Sequence, residues 1–275
     1  MAFFLRKVGG VGYLVSDLLV SVHGFATRLG GVSELAHTRA LNLAFGRGDG
    51  EAVVLENLGR FGSAVGFDPL SVVSVPQVHE TEVFTVDARH RGVGYYRPAD
   101  ISGDGYVTAD PSVTLGVKTA DCTPILLEAE VCGRVVAVGA LHAGWRGTVA
   151  DMAGQGVRTL ARLASQAAGV SVEAVAVRAA IGPCIQACCM EVKEDCLSVV
   201  RSSLGALADG FIRSAGERTC LDIPGMNRAL LLRAGVPAER IDVCELCTAC
   251  HSELFYSHRA SGGVRGTMLN VIRLP

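Results

Sequence analysis

Three apolar runs in this chain stop abruptly at side chains that can ligate a metal. VSVPQVHE ends at His79, LGVKTADCTP sets Asp121 and Cys122 between apolar segments, and VVAVGALHAGWRG runs into His142. The last run is followed by a tight Ala-Gly turn carrying the only tryptophan, Trp145, and then Arg146. The three candidate ligands lie 43 and 20 residues apart, too far for a zinc-finger knuckle. Strand ends, however, can bring distant residues together at one edge of a sheet. Two imidazoles and one thiolate make a three-ligand set with an open fourth position, the usual arrangement of catalytic zinc. That position holds a water whose pKa zinc lowers to about 7. The same residues permit a metal-free alternative, in which Cys122 is a thiolate nucleophile activated by His79 or His142. Taken singly, a buried cysteine is more often a small apolar filler, and spacing alone does not prove that three strand ends converge.

A second thiol-rich run, CELCTACH, carries Cys244, Cys247, Cys250 and His251. Its C-x2-C-x2-C spacing resembles the start of a bacterial iron–sulfur run but lacks the fourth cysteine and the proline after it. The other dense set, Cys184, Cys188 and Cys189 in IGPCIQACC, has no histidine. A structural zinc knuckle usually draws on two separated pairs. Val243, Leu246 and the LFY beyond the run favour core packing for at least some of these thiols. For an anion, Arg28 before a Gly-Gly turn and Arg146 are the candidates, because a fixed guanidinium suits bidentate phosphate recognition. Asp104, Asp121 and Glu191 are the carboxylates available for proton transfer or for ribose hydroxyls. No G-x-G-x-x-G opens a strand–helix unit, and no P-loop or G-x-S-x-G elbow is present.

The elements that must position these groups follow from periodicity. Val54, Leu58, Phe61 and Val65 recur at helical spacing and predict a helix over 51–66. Continuous apolar runs over 71–78, 82–87, 104–108, 113–118, 124–130 and 134–141 predict strands buried on both faces. A long helix is predicted near 149–168, a strand over 172–181, helices near 191–208 and 223–234, and strands near 240–246, 254–259 and 267–274. Hairpin-like neighbours alternating with helical crossovers predict an α/β fold with mixed sheets, in one domain over residues 1–275.

Composition excludes several classes. With 49% hydrophobic residues and a formal net charge of −2, the chain has ample core and no basic stripe for nucleic acid. No apolar run approaches the ~18–20 residues of a membrane span. The N-terminus, broken by Arg6, Lys7, glycines and Asp17, does not read as a signal peptide. The expectation is a cytoplasmic protein whose ten cysteines stay reduced.

HGFATRLGGVS, LNLAFGRGD, PQVH, ADISGDGYVT, TADCTPILL, HAGWRGTVADM, IGPCI with EV, CT and FYSHR occur here in one order. Together, from about residue 23 to 272, they resemble the laccase-domain family, long labelled multicopper polyphenol oxidases. That family is known for purine nucleoside phosphorylase activity and includes a peptidoglycan editing factor. The resemblance implies that His79, Cys122 and His142 bind zinc. It also implies a layered α/β domain similar to cysteine hydrolases of the cytotoxic-necrotising-factor type. The activities implied are phosphorolysis of adenosine, inosine, guanosine and methylthioadenosine, with deamination of adenosine. Purine nucleoside and phosphate are the expected partners. Cys122, His142, Asp121 and Arg28 are then the expected catalytic residues, and Arg28, Arg146, Asp104 and Asn42 the expected substrate contacts. Glu80, Leu58, Met190 and the VRGT around Arg265 depart from the family pattern. Copper is the lesser expectation as metal, because seven histidines without an H-x-H pair do not supply a multicopper centre.

Overall fold

The computed structural model describes residues 2–216 and 218–275, with the side chain of residue 215 left aside. Strands β1 (Phe3–Val8), β2 (Val11–Ser16) and β3 (Val22–Ala26) lead into helix α1 (Glu51–Val65). Then follow β4 (Val72–Val73), β5 (Val83–Thr85), β6 (Gly105–Thr108), β7 (Thr114–Thr119), β8 (Thr123–Val131) and β9 (Arg134–Ala143). Helices α2 (Trp145–Val149) and α3 (Met152–Ala168) precede β10 (Ala176–Ile181) and α4 (Glu194–Leu204). The chain closes with β11 (Ile212–Ala215), β12 (Arg218–Leu221), α5 (Ile223–Arg233), β13 (Ile241–Val243) and β14 (Met268–Arg273).

Two six-stranded mixed sheets form the frame, in the orders β1-β2-β3-β14-β7-β4 and β13-β10-β8-β9-β6-β5. Strand alternation explains how they stack. On β3, Gly24 faces α1, where an added Cβ would meet Val65, while Phe25 points the other way and packs against Gly182 beside the second sheet. On β8 and β9, Leu126, Val138 and Ala140 join the core between the sheets. Ile125, Leu127 and Leu141 join a second core under α3, α4 and α5. This is why those strands read as unbroken apolar runs.

Helix α3 turns Val157, Leu160, Ala161 and Ala164 inward. It comes so close to β9 that a Cβ at Gly156 would stand 2.3 Å from Leu141 Cδ1. Leu141 is the residue before His142, so the helix is seated against the strand end that matters.

The predicted elements differ from the observed ones in places. No strand forms over 254–259: Phe255 and Tyr256 are buried, but they lie in irregular backbone after a turn at 252–254, with Phe255 N–H on His251 O. The 71–78 strand shrinks to Val72–Val73, and the rest is an extended loop that delivers His79. Helix 191–208 is α4 followed by a 3-10 turn over 205–211. The β1–β3 meander and the β11–β12 hairpin carry no prediction from the sequence. Among the described residues, no helix is long and apolar enough to cross a membrane.

Candidate metal centre and its cavity

Local backbone places each of the three candidate ligands. β9 ends at Ala143, where Gly144 starts α2 with its backbone N-terminal to Trp145. The β7–β8 connection is only three residues long, and it places Asp121 at φ 98 and Cys122 next to it. His79 sits at φ 64 in the loop between β4 and β5. Such left-handed backbone in non-glycine residues costs energy and gathers at sites where side chains must be aimed.

The structure brings His79, Cys122 and His142 together, with one ligand atom from each inside a 4.8 Å group. Cys122 Sγ lies 3.9 Å from His79 Nε2, and the two imidazole rings stand edge-on at 4.9 Å between centroids. Behind them is Asp104, fully buried. Its Oδ1 accepts from His142 Nδ1 at 2.7 Å, which leaves Nε2 as the ring nitrogen available to a metal. Its Oδ2 accepts from the backbone N–H groups of Val78 and Glu80, on either side of His79. One carboxylate therefore orients two of the three candidate ligands.

The charges are coupled. Burial raises a thiol, but the His142 charge and hydrogen bonds from both imidazoles outweigh it and bring Cys122 down to about 6. Burial pulls His142 down, yet the Cys122 thiolate and the Asp104 carboxylate push it up to about 9. Burial opposes ionisation of Asp104 too, and its hydrogen bonds to His142 and the backbone hold it below the usual carboxylate range.

His79 and Cys122 open on a cavity of about 290 Å³. Its wall is apolar at Ile185, Met190 and Ile223, and polar at His258, Arg259 and Arg265. Asp121 lines it as well, but both its oxygens are taken: Thr248 Oγ1 donates to Oδ1 at 2.6 Å and Arg259 N–H to Oδ2 at 2.7 Å. Arg265 donates from Nη1 to Thr267 Oγ1, while its buried Nε has no partner. Burial, reinforced by the charge of Arg47, lowers its pKa to about 10.

Other sequence candidates lie elsewhere. Arg28 gives its guanidinium to the carbonyls of Arg39 and Ser252 and covers the Tyr256 ring at 4.8 Å, outside the lining. Asn42 is wholly buried and bonded to Ala44, Asp49 and Thr267. Arg146 stacks over Trp145 at the edge of an adjoining cavity that shares His79. Glu191 is exposed, and its carbonyl holds Arg259. Met190, His258 and Arg259 also line the cavity; the sequence shows the last two only within FYSHR and the first only as a departure before EV.

Residues 22–275 match the family described as multi-copper polyphenol oxidoreductase laccase. The chain belongs to this family. Among the family's curated members, a purine nucleoside phosphorylase of Deinococcus radiodurans is 36% identical, over 97% of this chain and 94% of its own length. The adenosine deaminase RL5, from an unknown prokaryotic organism, is 33% identical over 90% of this chain and 92% of its own. The crystal structure of YlmD from Geobacillus stearothermophilus superposes with a TM-score of 0.84 at 30% identity, covering all of both chains. The α/β fold with mixed sheets is thus the fold of the laccase family.

The donor set fits the metal that a laccase-domain site implies. Two imidazole nitrogens and a thiolate suit zinc. Gly144 keeps the space between them clear, since a Cβ there would lie 3.0 Å from His79 Cδ2 and 3.4 Å from Cys122 Sγ.

Proposed function

We propose that this chain is a zinc-dependent purine nucleoside phosphorylase with an accompanying adenosine deaminase activity. The observation that carries the reading is the convergence of His79, Cys122 and His142, the first two of which line a cavity that also has an apolar wall and Arg265. The names of the phosphorylase and deaminase relatives support it. His79, Cys122 and His142 would hold the zinc, which supplies Lewis acidity and lowers the pKa of water toward ~7, as deamination of a purine requires.

The chain's own residues do the rest. Ile185, Met190 and Ile223 offer the purine an apolar face. Arg265, on the cavity wall, is the first candidate to hold a phosphate, and Arg146, beside His79, is the second. In phosphorolysis a phosphate oxygen bonds to the anomeric carbon and the bond from that carbon to the purine nitrogen breaks. Its electron pair stays on the purine, which takes up a proton. Orientation and charge stabilisation supply the acceleration. With both its oxygens engaged, Asp121 positions Thr248 and Arg259 instead of shuttling that proton. Ten free thiols suit a reducing cytoplasm.

The test is incubation of the pure protein with adenosine, with and without phosphate, and chromatography of the products. Adenine only with phosphate supports phosphorolysis, and inosine in either tube supports deamination. No product in either overturns the purine reading. A second reading, Cys122 as nucleophile of a hydrolase acting on an amide or a peptidoglycan precursor, is favoured by the depressed thiol pKa of about 6. Chelator-insensitive turnover with covalent labelling of Cys122 would select it.

A further inference from the structure

The fold gathers a second cluster of thiols that the activity does not use. Cys188 and Cys189, after β10, meet Cys247 and Cys250, after β13, and the four Sγ atoms all lie within 4.8 Å of one another. Cys250 Sγ is 3.6 Å from Cys188 Sγ and 3.4 Å from Cys189 Sγ. Cys184 and Cys244, the other thiols of the two sequence runs, are buried and stand apart from this group.

We propose that Cys188, Cys189, Cys247 and Cys250 form a structural zinc site. Four sulfurs about 2.3 Å from a tetrahedral zinc are separated by about 3.8 Å. The observed separations are near this value, and they are too short to surround a multi-iron cluster of the kind that C-x2-C-x2-C spacing suggests. The core-filling alternative fails on position, because Cys188 and Cys250 are exposed. Four protein donors leave no open coordination position, which marks the site as structural and separates it from the three-ligand centre.

The ligand loops are held for this purpose by their own backbone. Cys189 and Met190 N–H groups both turn back onto Gln186 O. Gln186 N–H donates to Cys247 Sγ at 3.4 Å, an N–H contact that stabilises a thiolate. Cys184 and Cys247 pair as a parallel bridge, and Thr248 N–H donates to Cys184 O. Arg259 Nη1 then closes onto Cys189 O at 3.2 Å. One turn continues into Met190, the other leads to His258 and Arg259, and all three line the catalytic cavity. A zinc here fastens two segments some 60 residues apart in sequence that together build one wall of that cavity.

The experiment reads metal content and needs no turnover, so it stands whether or not the phosphorylase reading holds. In the Cys122→Ala/His142→Ala variant, which lacks the first centre, purified protein is expected to keep about one zinc per chain after dialysis. Replacement with Co2+ is expected to give thiolate-to-cobalt charge-transfer absorption and the strong visible bands of tetrahedral cobalt. Adding Cys247→Ser and Cys250→Ser is expected to cut both by at least tenfold. Should that variant fail to fold, mercurial titration of thiols in the Cys122→Ala/His142→Ala protein must release the zinc instead. A soluble, folded Cys122→Ala/His142→Ala protein that holds neither zinc nor Co2+ overturns the proposal. So does a disulfide between Cys250 and Cys188 or Cys189 in protein isolated under reducing conditions, or iron in the zinc's place.

Discussion

His142 Nδ1 lies 2.7 Å from Asp104 Oδ1, with the carboxylate wholly buried and the imidazole nearly so. The pair fixes the ring's tautomer and aims Nε2 at Cys122 and His79. Removing the charge in Asp104→Asn is expected to weaken zinc binding by about 10–100-fold, the usual effect of losing a ligand's supporting carboxylate. Competition with a zinc-sensitive chelator measures it. Unchanged affinity would mean that Asp104 does not orient the ligands.

Gly144→Ala tests the space between those ligands. Its Cβ falls in a range where His79 must give way by a few tenths of an ångström. Loss of zinc from the three-ligand centre with little change in the thermal midpoint is the expected outcome, read by metal analysis and a circular dichroism melt.

The two arginine candidates predict opposite behaviour. Arg265→Met is expected to raise the KM for phosphate by about tenfold or more, as loss of a charge-assisted contact of ~1.5–3 kcal/mol implies. Arg28→Met is expected to leave that KM alone and to lower stability, because its guanidinium ties two main-chain carbonyls together. Steady-state kinetics at varied phosphate, with a urea melt for each variant, separates them.

Lys118 gives a pH signature of folding. Its Nζ donates to Ser74 O and stands 4.8 Å from the Tyr95 ring centroid, and burial brings its pKa down to about 8. The unfolded chain keeps this proton until roughly pH 10.4. Between those values the unfolded state binds more protons, so stability rises with pH. Relative to Lys118→Met, the wild type is expected to gain about 1–3 kcal/mol from pH 8 to pH 10. Parallel stability curves for the two proteins in that window would refute the burial of the ammonium.

The site was legible in the sequence where apolar strands end. His142 stands near the end of β9, whereas Cys122 follows β7 in a three-residue connection and His79 follows β4 in a loop, yet all three break an apolar run and so stood out. Arg28 and Asn42 were misleading because their neighbours are glycines and short polar residues that signal a ligand loop and a braced loop alike. Both thiol runs were visible in the sequence but their meeting was not, since Cys184 and Cys244 of the same runs do not join Cys188, Cys189, Cys247 and Cys250. Phe255 and Tyr256 read as a strand because burial and aromatic character look the same in a plugged turn.

The β8–β9 hairpin pairs Thr123 with Ala143 and Pro124 with His142, from a tip at Cys132 and Gly133 and past a bulge near Ala129. Side chains on a strand alternate, so a slip of one residue would turn His142 to the opposite face and carry it away from Cys122. Only one registration of this hairpin offers the metal its thiolate and its imidazole together. A metal held by both groups would therefore favour this one pairing of the longest two strands, so that the sheet's registration and the site's donor set would stand or fall together.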